Sequence, residues 1–274
     1  TSLLHPYDIH FPIIVSWRTY KEGDSEIQHK HLSRNLPKLI DSYGYKHVLI
    51  NKDRIDIAIE QIEECEYSKQ ICLLEKETFS RVDLLSEHVL ELSSYPNRSK
   101  YLEILNKKYK NKEVLFIGTT GNTAREMYSY MPNTNNFYMA GNMGGALSLG
   151  LGASKAGRKV IVCGGDAEFV MHMGGLTTLG RYSHDLDLTY ILFDNESNKS
   201  TGGQNTYQSH LNYREIAKNS GLESNSELIK DASSFSNLIE VNDNSIGARL
   251  IVVKCNYDEE TPRPPLEIVK RNKI

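Results

Sequence analysis

Apolar residues in this chain fall into short runs parted by polar stretches, and the runs alternate between strand and helix periods. Phe11-Pro12-Ile13-Ile14-Val15-Ser16-Trp17 reads as a buried strand, followed by a polar loop over 20–28. Leu32, Leu36, Leu39 and Ile40 recur at helical spacing. A strand is expected over 45–50, a helix over 55–66 through Ile55, Ile59 and Ile62, and a strand over 70–74. Residues 76–100 are polar and carry Ser93-Ser94-Tyr95-Pro96-Asn97, the composition of a domain boundary.

Beyond that boundary the alternation becomes regular. Helices are expected over 99–108, 123–130, 144–156, 169–181 and 213–218. Strands are expected over 114–117, 137–139, 159–163, 188–193 and 249–253. Strands of this length alternating with helices predict an α/β fold, a parallel sheet flanked by helices on both faces. Such sheets bind ligands at the carboxyl ends of their strands. The turns after Ile117, Cys163 and Phe193 are the ones that carry Gly, Thr, Asp and Asn.

Composition narrows the possibilities. At 274 residues the chain accommodates two domains, or one and a remnant of another. A net charge of -3 argues against nucleic acid as a partner. Fifteen of the 19 glycines lie between Gly118 and Gly203, where the backbone must turn sharply or approach a ligand closely. Cys65, Cys72, Cys163 and Cys255 show neither zinc spacing nor a disulfide framework. The first residues lack an initiator Met, a basic start and an apolar signal core, and residues 139–157 are too weakly apolar to span a bilayer. The expectation is a soluble, cytoplasmic protein with no membrane partner.

The strongest chemical signal is a pair of segments at consecutive strand ends, Gly165-Asp166-Ala167 and Asp194-Asn195-Glu196-Ser197. Asn195 follows Asp166 by twenty-nine residues. A carboxylate and an amide oxygen brought together there suit one hard cation such as Mg2+, with a ligand's phosphates completing its shell. Either residue alone could be a helix cap or an ordinary turn.

This spacing resembles the signature of thiamin-diphosphate enzymes, Gly-Asp-Gly followed by an Asn pair. Thr119-Thr120-Gly121 with Arg125-Glu126, Gly141-Asn142-Met143-Gly144, Met171-His172-Met173-Gly174 and Ser200-Thr201-Gly202-Gly203-Gln204 resemble the phosphonopyruvate decarboxylases and their relatives, the sulfopyruvate decarboxylases. Trp17-Arg18, Asp24-Ser25-Glu26-Ile27-Gln28-His29 and Arg263-Pro264 extend the likeness to both ends. The resemblance implies a thiamin-diphosphate-binding fold over 95–274, preceded over 1–80 by the C-terminal part of an incomplete pyrimidine-binding domain. It implies thiamin diphosphate and Mg2+ as cofactors, with Asp166, the Asn195 side chain and the Ser197 carbonyl on the metal. Ala167 and Glu168 would offer backbone amides to the diphosphate beside Gly165. Thr120, Gly121 and Asn142 would border the cofactor, and Met143 would wedge between its rings. Ser200, Thr201 and Gly202 would close over a small anionic 2-oxo acid. The implied reaction is decarboxylation of a 3-substituted pyruvate, phosphonopyruvate to phosphonoacetaldehyde and CO2, within phosphonate biosynthesis. Sulfopyruvate decarboxylation and a non-catalytic cofactor-binding role are the alternatives. A homodimer or larger homo-oligomer with an inter-subunit site is also implied.

The chain departs from the family pattern at three places. Ala167 stands where the motif has Gly, and Asn198-Lys199 where a His and an acid precede Ser-Thr-Gly-Gly. The activating Glu of the pyrimidine domain has no counterpart here; Glu22 and Glu26 lie in the wrong segment, and His29 reads as a structural or surface residue. A dinucleotide fold is disfavoured because Gly150-Leu151-Gly152 falls inside the small-residue helix.

Overall fold

The computed structural model describes residues 2–18, 29–80, 82–83, 85–241 and 245–257. Glu22, residues 24–28 and the Arg263-Pro264 pair lie outside the described residues. Two compact units divide the chain, Thr1–Asp83 and Leu84–Ile274.

The first unit contains β1 (Ile13–Ser16), α1 (Lys30–Ser42), β2 (Lys46–Ile50), α2 (Ile55–Glu64) and β3 (Gln70–Leu74). Its three strands are parallel in the order β1-β3-β2. The buried core is small, formed by Ile50, Ala58, Cys65 and Cys72. The two cysteine sulfurs lie 3.7 Å apart as free thiols. Burial, reinforced by Cys65, pushes the Cys72 thiol up to about 12.

The second unit opens with α3 (Arg98–Tyr109), β4 (Val114–Gly118), α4 (Asn122–Tyr130), β5 (Asn135–Tyr138), α5 (Ala146–Lys155) and β6 (Lys159–Gly165). It continues through α6 (Asp166–Met171), α7 (Gly175–Arg181), β7 (Asp187–Asp194) and the short strands β8 (Ser197–Asn198) and β9 (Gln204–Asn205). It closes with α8 (Tyr213–Asn219), β10 (Glu223–Ser224), α9 (Ala232–Val241) and β11 (Gly247–Lys254). Six strands form one parallel sheet in the order β10-β11-β7-β6-β4-β5. Period-two alternation sends successive side chains into opposite layers. Ile117, Val162, Tyr190 and Val252 pack with residues of α5, α7 and α8, whereas Phe116, Cys163, Phe193 and Val253 pack with residues of α3, α4 and α9. The chain winds outward in opposite directions from β4 and β6, so their carboxyl ends form the crevice where such sheets bind ligands.

Three features differ from the sequence expectation. The helix over 169–181 is two helices, α6 and α7, broken at His172–Gly174. The break turns the His172 ring back, and its Nδ1–H donates to the Gly144 carbonyl at 2.6 Å. The polar loop after β7 contains an antiparallel hairpin, β8 with β9. Helix α9 follows Asp231, whose carboxylate accepts the Ser234 N–H at 2.8 Å and so caps the first turn. The Gly150-Leu151-Gly152 segment lies within α5, as expected.

Gly150 also sets how closely α5 approaches the sheet. A Cβ on it would stand 2.6 Å from Cγ2 of Val162, a stiff β-branched side chain. A Cβ on Gly152, two residues further along α5, meets nothing within 4 Å. Gly150→Ala should therefore destabilise the protein by roughly 1–3 kcal/mol through overpacking. Gly152→Ala should stabilise it by about 0.5–1 kcal/mol through helix propensity. Urea unfolding of the two variants beside wild type measures both, and equal midpoints would refute the close approach.

Candidate active site

The carboxyl ends of β4, β6 and β7 border a cleft of about 60 Å³. Thr119 and Thr120 enter it after β4, Met143 before α5, and Gly165 to Glu168 at the junction of β6 with α6. Asn195 and Ser197 to Ser200 enter it after β7, and Arg98 from α3. Strand geometry explains the meeting: β6 runs alongside β7 in register, with Gly165 opposite Phe193, so the residues following each strand emerge together.

Asp166 is buried at the first position of α6, and its Oδ2 accepts the Thr206 hydroxyl at 3.1 Å. Burial raises its carboxyl to about 6, and the nearby charge of Asp194 adds to the rise. Asn195 is also buried, and its Oδ1 accepts the Ser197 N–H at 3.2 Å. The bond is that of an ordinary turn, and a carbonyl oxygen retains a second lone pair beyond it. The Ser197 hydroxyl, the Thr119 hydroxyl and both carboxylate oxygens of Glu168 are buried without a hydrogen-bond partner among the described residues. Burial raises the Glu168 carboxyl; the Thr119 hydroxyl and the backbone N–H groups of Ala146, Gly144 and Gly165 lie near enough to temper that rise.

Two buried ion pairs brace this cleft. Arg98 donates from Nε and Nη2 to the two carboxylate oxygens of Glu126, both at 2.7 Å. Lys254, the last residue of β11, donates to Asp194 Oδ2 at 3.1 Å and also to Glu196 Oε1. The Cys255 N–H donates to the Asp194 carbonyl at 3.0 Å, so the base of the Asp194–Ser197 turn is tied to the neighbouring strand. Burial raises the Asp194 carboxyl against the pull of Lys254, while on Lys254 the two acids outweigh burial and raise the ammonium.

Of the residues singled out by sequence, Thr120, Met143, Gly165, Asp166, Ala167, Glu168, Asn195, Ser197 and Ser200 line this one cleft. Ala167 sits in the first turn of α6 and is not among the residues of positive φ, so its Cβ is tolerated. Gly121, at φ +81°, backs onto Ser200: a Cβ there would lie 3.4 Å from the Ser200 hydroxyl oxygen. Asn142, at φ +60°, folds beneath Gly145, whose N–H donates to its carbonyl at 2.9 Å. Thr201 and Gly202 form the exposed tip of the β8–β9 hairpin, where the Thr201 hydroxyl donates to the Asn198 carbonyl. The ammonium of Lys199 lies 4.5 Å from the centre of the Tyr257 ring. Sequence reasoning overlooked Arg98 and Lys254. Lys254 left a trace, a lone cation ending the apolar run Leu250-Ile251-Val252-Val253. Arg98 left none, because Glu126 lies 28 residues away.

Comparison with known proteins matches residues 117–249 to the thiamine pyrophosphate enzyme family, C-terminal TPP binding domain. The sulfopyruvate decarboxylase subunit beta of Methanocaldococcus jannaschii is 36% identical over 131 residues, covering 47% of this chain and 69% of that one. The phosphonopyruvate decarboxylase of Streptomyces viridochromogenes is 28% identical over 237 residues, covering 79% of this chain and 59% of that one. This chain therefore spans about three fifths of the phosphonopyruvate decarboxylase. The thiamine diphosphate-dependent 4-hydroxybenzoylformate decarboxylase of Rhodococcus jostii shares the fold, with a TM-score of 0.52 at 16% identity over 68% of this chain and 37% of that one.

Lys254→Met should leave Asp194 buried without its cation and lower the unfolding free energy by about 3 kcal/mol. Adding Asp194→Asn should restore part of the loss. Urea denaturation of the single and double variants reads both effects; a single variant as stable as wild type would refute the brace.

Proposed function

Because the chain belongs to the family of thiamin-diphosphate-dependent decarboxylases that includes the phosphonopyruvate and sulfopyruvate decarboxylases, we propose that it decarboxylates a 3-substituted pyruvate, phosphonopyruvate to phosphonoacetaldehyde and CO2. The carrying observation is the convergence of Asp166, Asn195 and Ser197 from adjacent strand ends on one cleft that also holds unpartnered hydroxyls. Sulfopyruvate is the second candidate substrate, favoured by the 36% identity to the sulfopyruvate decarboxylase subunit beta.

The donor set suits the cofactor. The Asp166 carboxylate, the Asn195 side-chain oxygen and the Ser197 carbonyl are the hard oxygen ligands that Mg2+ takes while keeping water and phosphate oxygens. The Ser197 hydroxyl is a buried donor without an acceptor among the described residues. Burial disfavours the charged form of the Glu168 carboxyl, and a divalent cation bound nearby would favour it. Bound thiamin diphosphate supplies the electron sink for the pair left when CO2 departs.

The chain's own groups would act around it. Asp166, Asn195 and Ser197 would hold Mg2+ against the diphosphate. Ala167 and Glu168 would donate backbone N–H bonds to it. Thr120, Gly121 and Asn142 would border it, and Met143, 39% exposed, would brace its rings. Ser200, Thr201 and Gly202 would cover the substrate, and Lys199 would meet its distal anionic group. Residues 95–274 act in this reading as the diphosphate-binding domain, and residues 1–80 as the rear of a pyrimidine-binding domain. The activating glutamate would come from outside the residues described, in an assembly of several subunits with the site shared between them.

Incubation with phosphonopyruvate and with sulfopyruvate, with the aldehyde products identified by mass spectrometry, tests the reaction; turnover of neither would falsify it. Asp166→Ala should abolish Mg2+-dependent binding of thiamin diphosphate in titration calorimetry. Unchanged affinity in that variant would remove Asp166 from the metal site.

A further inference from the structure

Arg98 is the first residue of α3 and is 5% exposed. Its forked pair with Glu126 uses Nε–H and one Nη2–H and would suffice for a purely structural pair. The Nη1 amino group makes no hydrogen bond with any described residue, although the guanidinium lines the cleft with Thr119, Asn122, Thr123 and Asp166. That amino group is a donor left available to the cleft, which Thr119 also lines. Glu126 fixes the guanidinium plane and keeps it charged, and the free edge belongs to the cleft. The acids of the cleft, Asp166 and Glu168, suit a cation, so the complementary ligand carries both a metal ion and oxyanions.

We propose that Arg98 recognises the terminal phosphoryl group of the bound diphosphate, with Glu126 as the residue that positions it. The proposal rests on the thiamin-diphosphate reading above and adds to it a cation, from a helix outside the Gly-Asp-Ala segment, that distinguishes a diphosphate from a monophosphate.

The test is titration calorimetry of the full chain with Mg2+ and either thiamin diphosphate or thiamin monophosphate. Arg98→Lys keeps a cation beside Glu126 but loses the fork. The double variant Arg98→Gln with Glu126→Gln keeps a neutral pair if the single variant fails to fold. Either folded variant should weaken diphosphate binding by roughly tenfold or more and leave the monophosphate unchanged. An unchanged ratio of the two affinities overturns the proposal. Weaker binding of phosphonoacetate to the cofactor-loaded variant, with diphosphate affinity intact, also overturns it, by giving Arg98 to the substrate. If wild type takes up no thiamin diphosphate, the functional reading fails by itself. Magnesium pyrophosphate then decides Arg98: weaker binding in the variant supports the assignment, and equal or absent binding ends it.

Discussion

Four carboxylates, Glu126, Asp166, Glu168 and Asp194, lie at the carboxyl edge of the six-stranded sheet with almost no access to water, and each needs a cation, a donor or a proton to remain there. Two of them are answered from within the chain: Glu126 by the guanidinium of Arg98, and Asp194 by the ammonium of Lys254. Asp166 and Glu168 meet only neutral donors, the Thr206 hydroxyl at the first and the Thr119 hydroxyl and nearby backbone N–H groups at the second, and neither is in an ion pair among the described residues. The edge is thus neutralised where it is structural and left acidic where the cleft opens. The braces keep β7 and β11, and α3 and α4, in place while the remaining acids face the space a ligand would fill.

That division also accounts for what could be read in the sequence. The order of strands and helices follows from local periodicity, and the six strands of the parallel sheet pair through runs such as Val160-Ile161-Val162-Cys163 that are apolar on both faces. Asp166 and Asn195 are legible because each follows its strand directly. The braces are not, because an ion pair between Arg98 and Glu126 depends on how α3 and α4 pack and not on any neighbour in sequence. The division of the 169–181 segment into α6 and α7 has a local signal, the Gly174-Gly175 pair at the break, and is accompanied by a tertiary bond from His172 to the Gly144 carbonyl across 28 residues. Helix α9 was legible in principle, with an Asp cap and Phe235 and Ile239 one turn apart, yet its Ser and Asn content disguised it.

The two units differ in how firmly their cores are built. In the second, each sheet face is covered by several helices, and rings stack across the layers, as Phe169 does on Tyr190 with centroids 6.2 Å apart. In the first, the buried core centres on Ile50, Ala58 and the two cysteines, while Ile59 and Tyr67 are 63% and 80% exposed. Chemistry built on strand ends needs those ends held still, and the cleft belongs to the unit with the larger core.

The cysteines give these differences a chemical signature. Cys65 and Cys72 belong to the first unit, Cys163 and Cys255 to the second, and all four are free and fully buried. Burial holds the Cys72 and Cys163 thiols up at about 12, so neither forms a reactive thiolate while its surroundings stay closed. A thiol reagent can reach them only through an opening of the unit that encloses them. The protein therefore carries two natural reporters of breathing motion in each half, and the sequence in which its sulfurs become modifiable records which half loosens first.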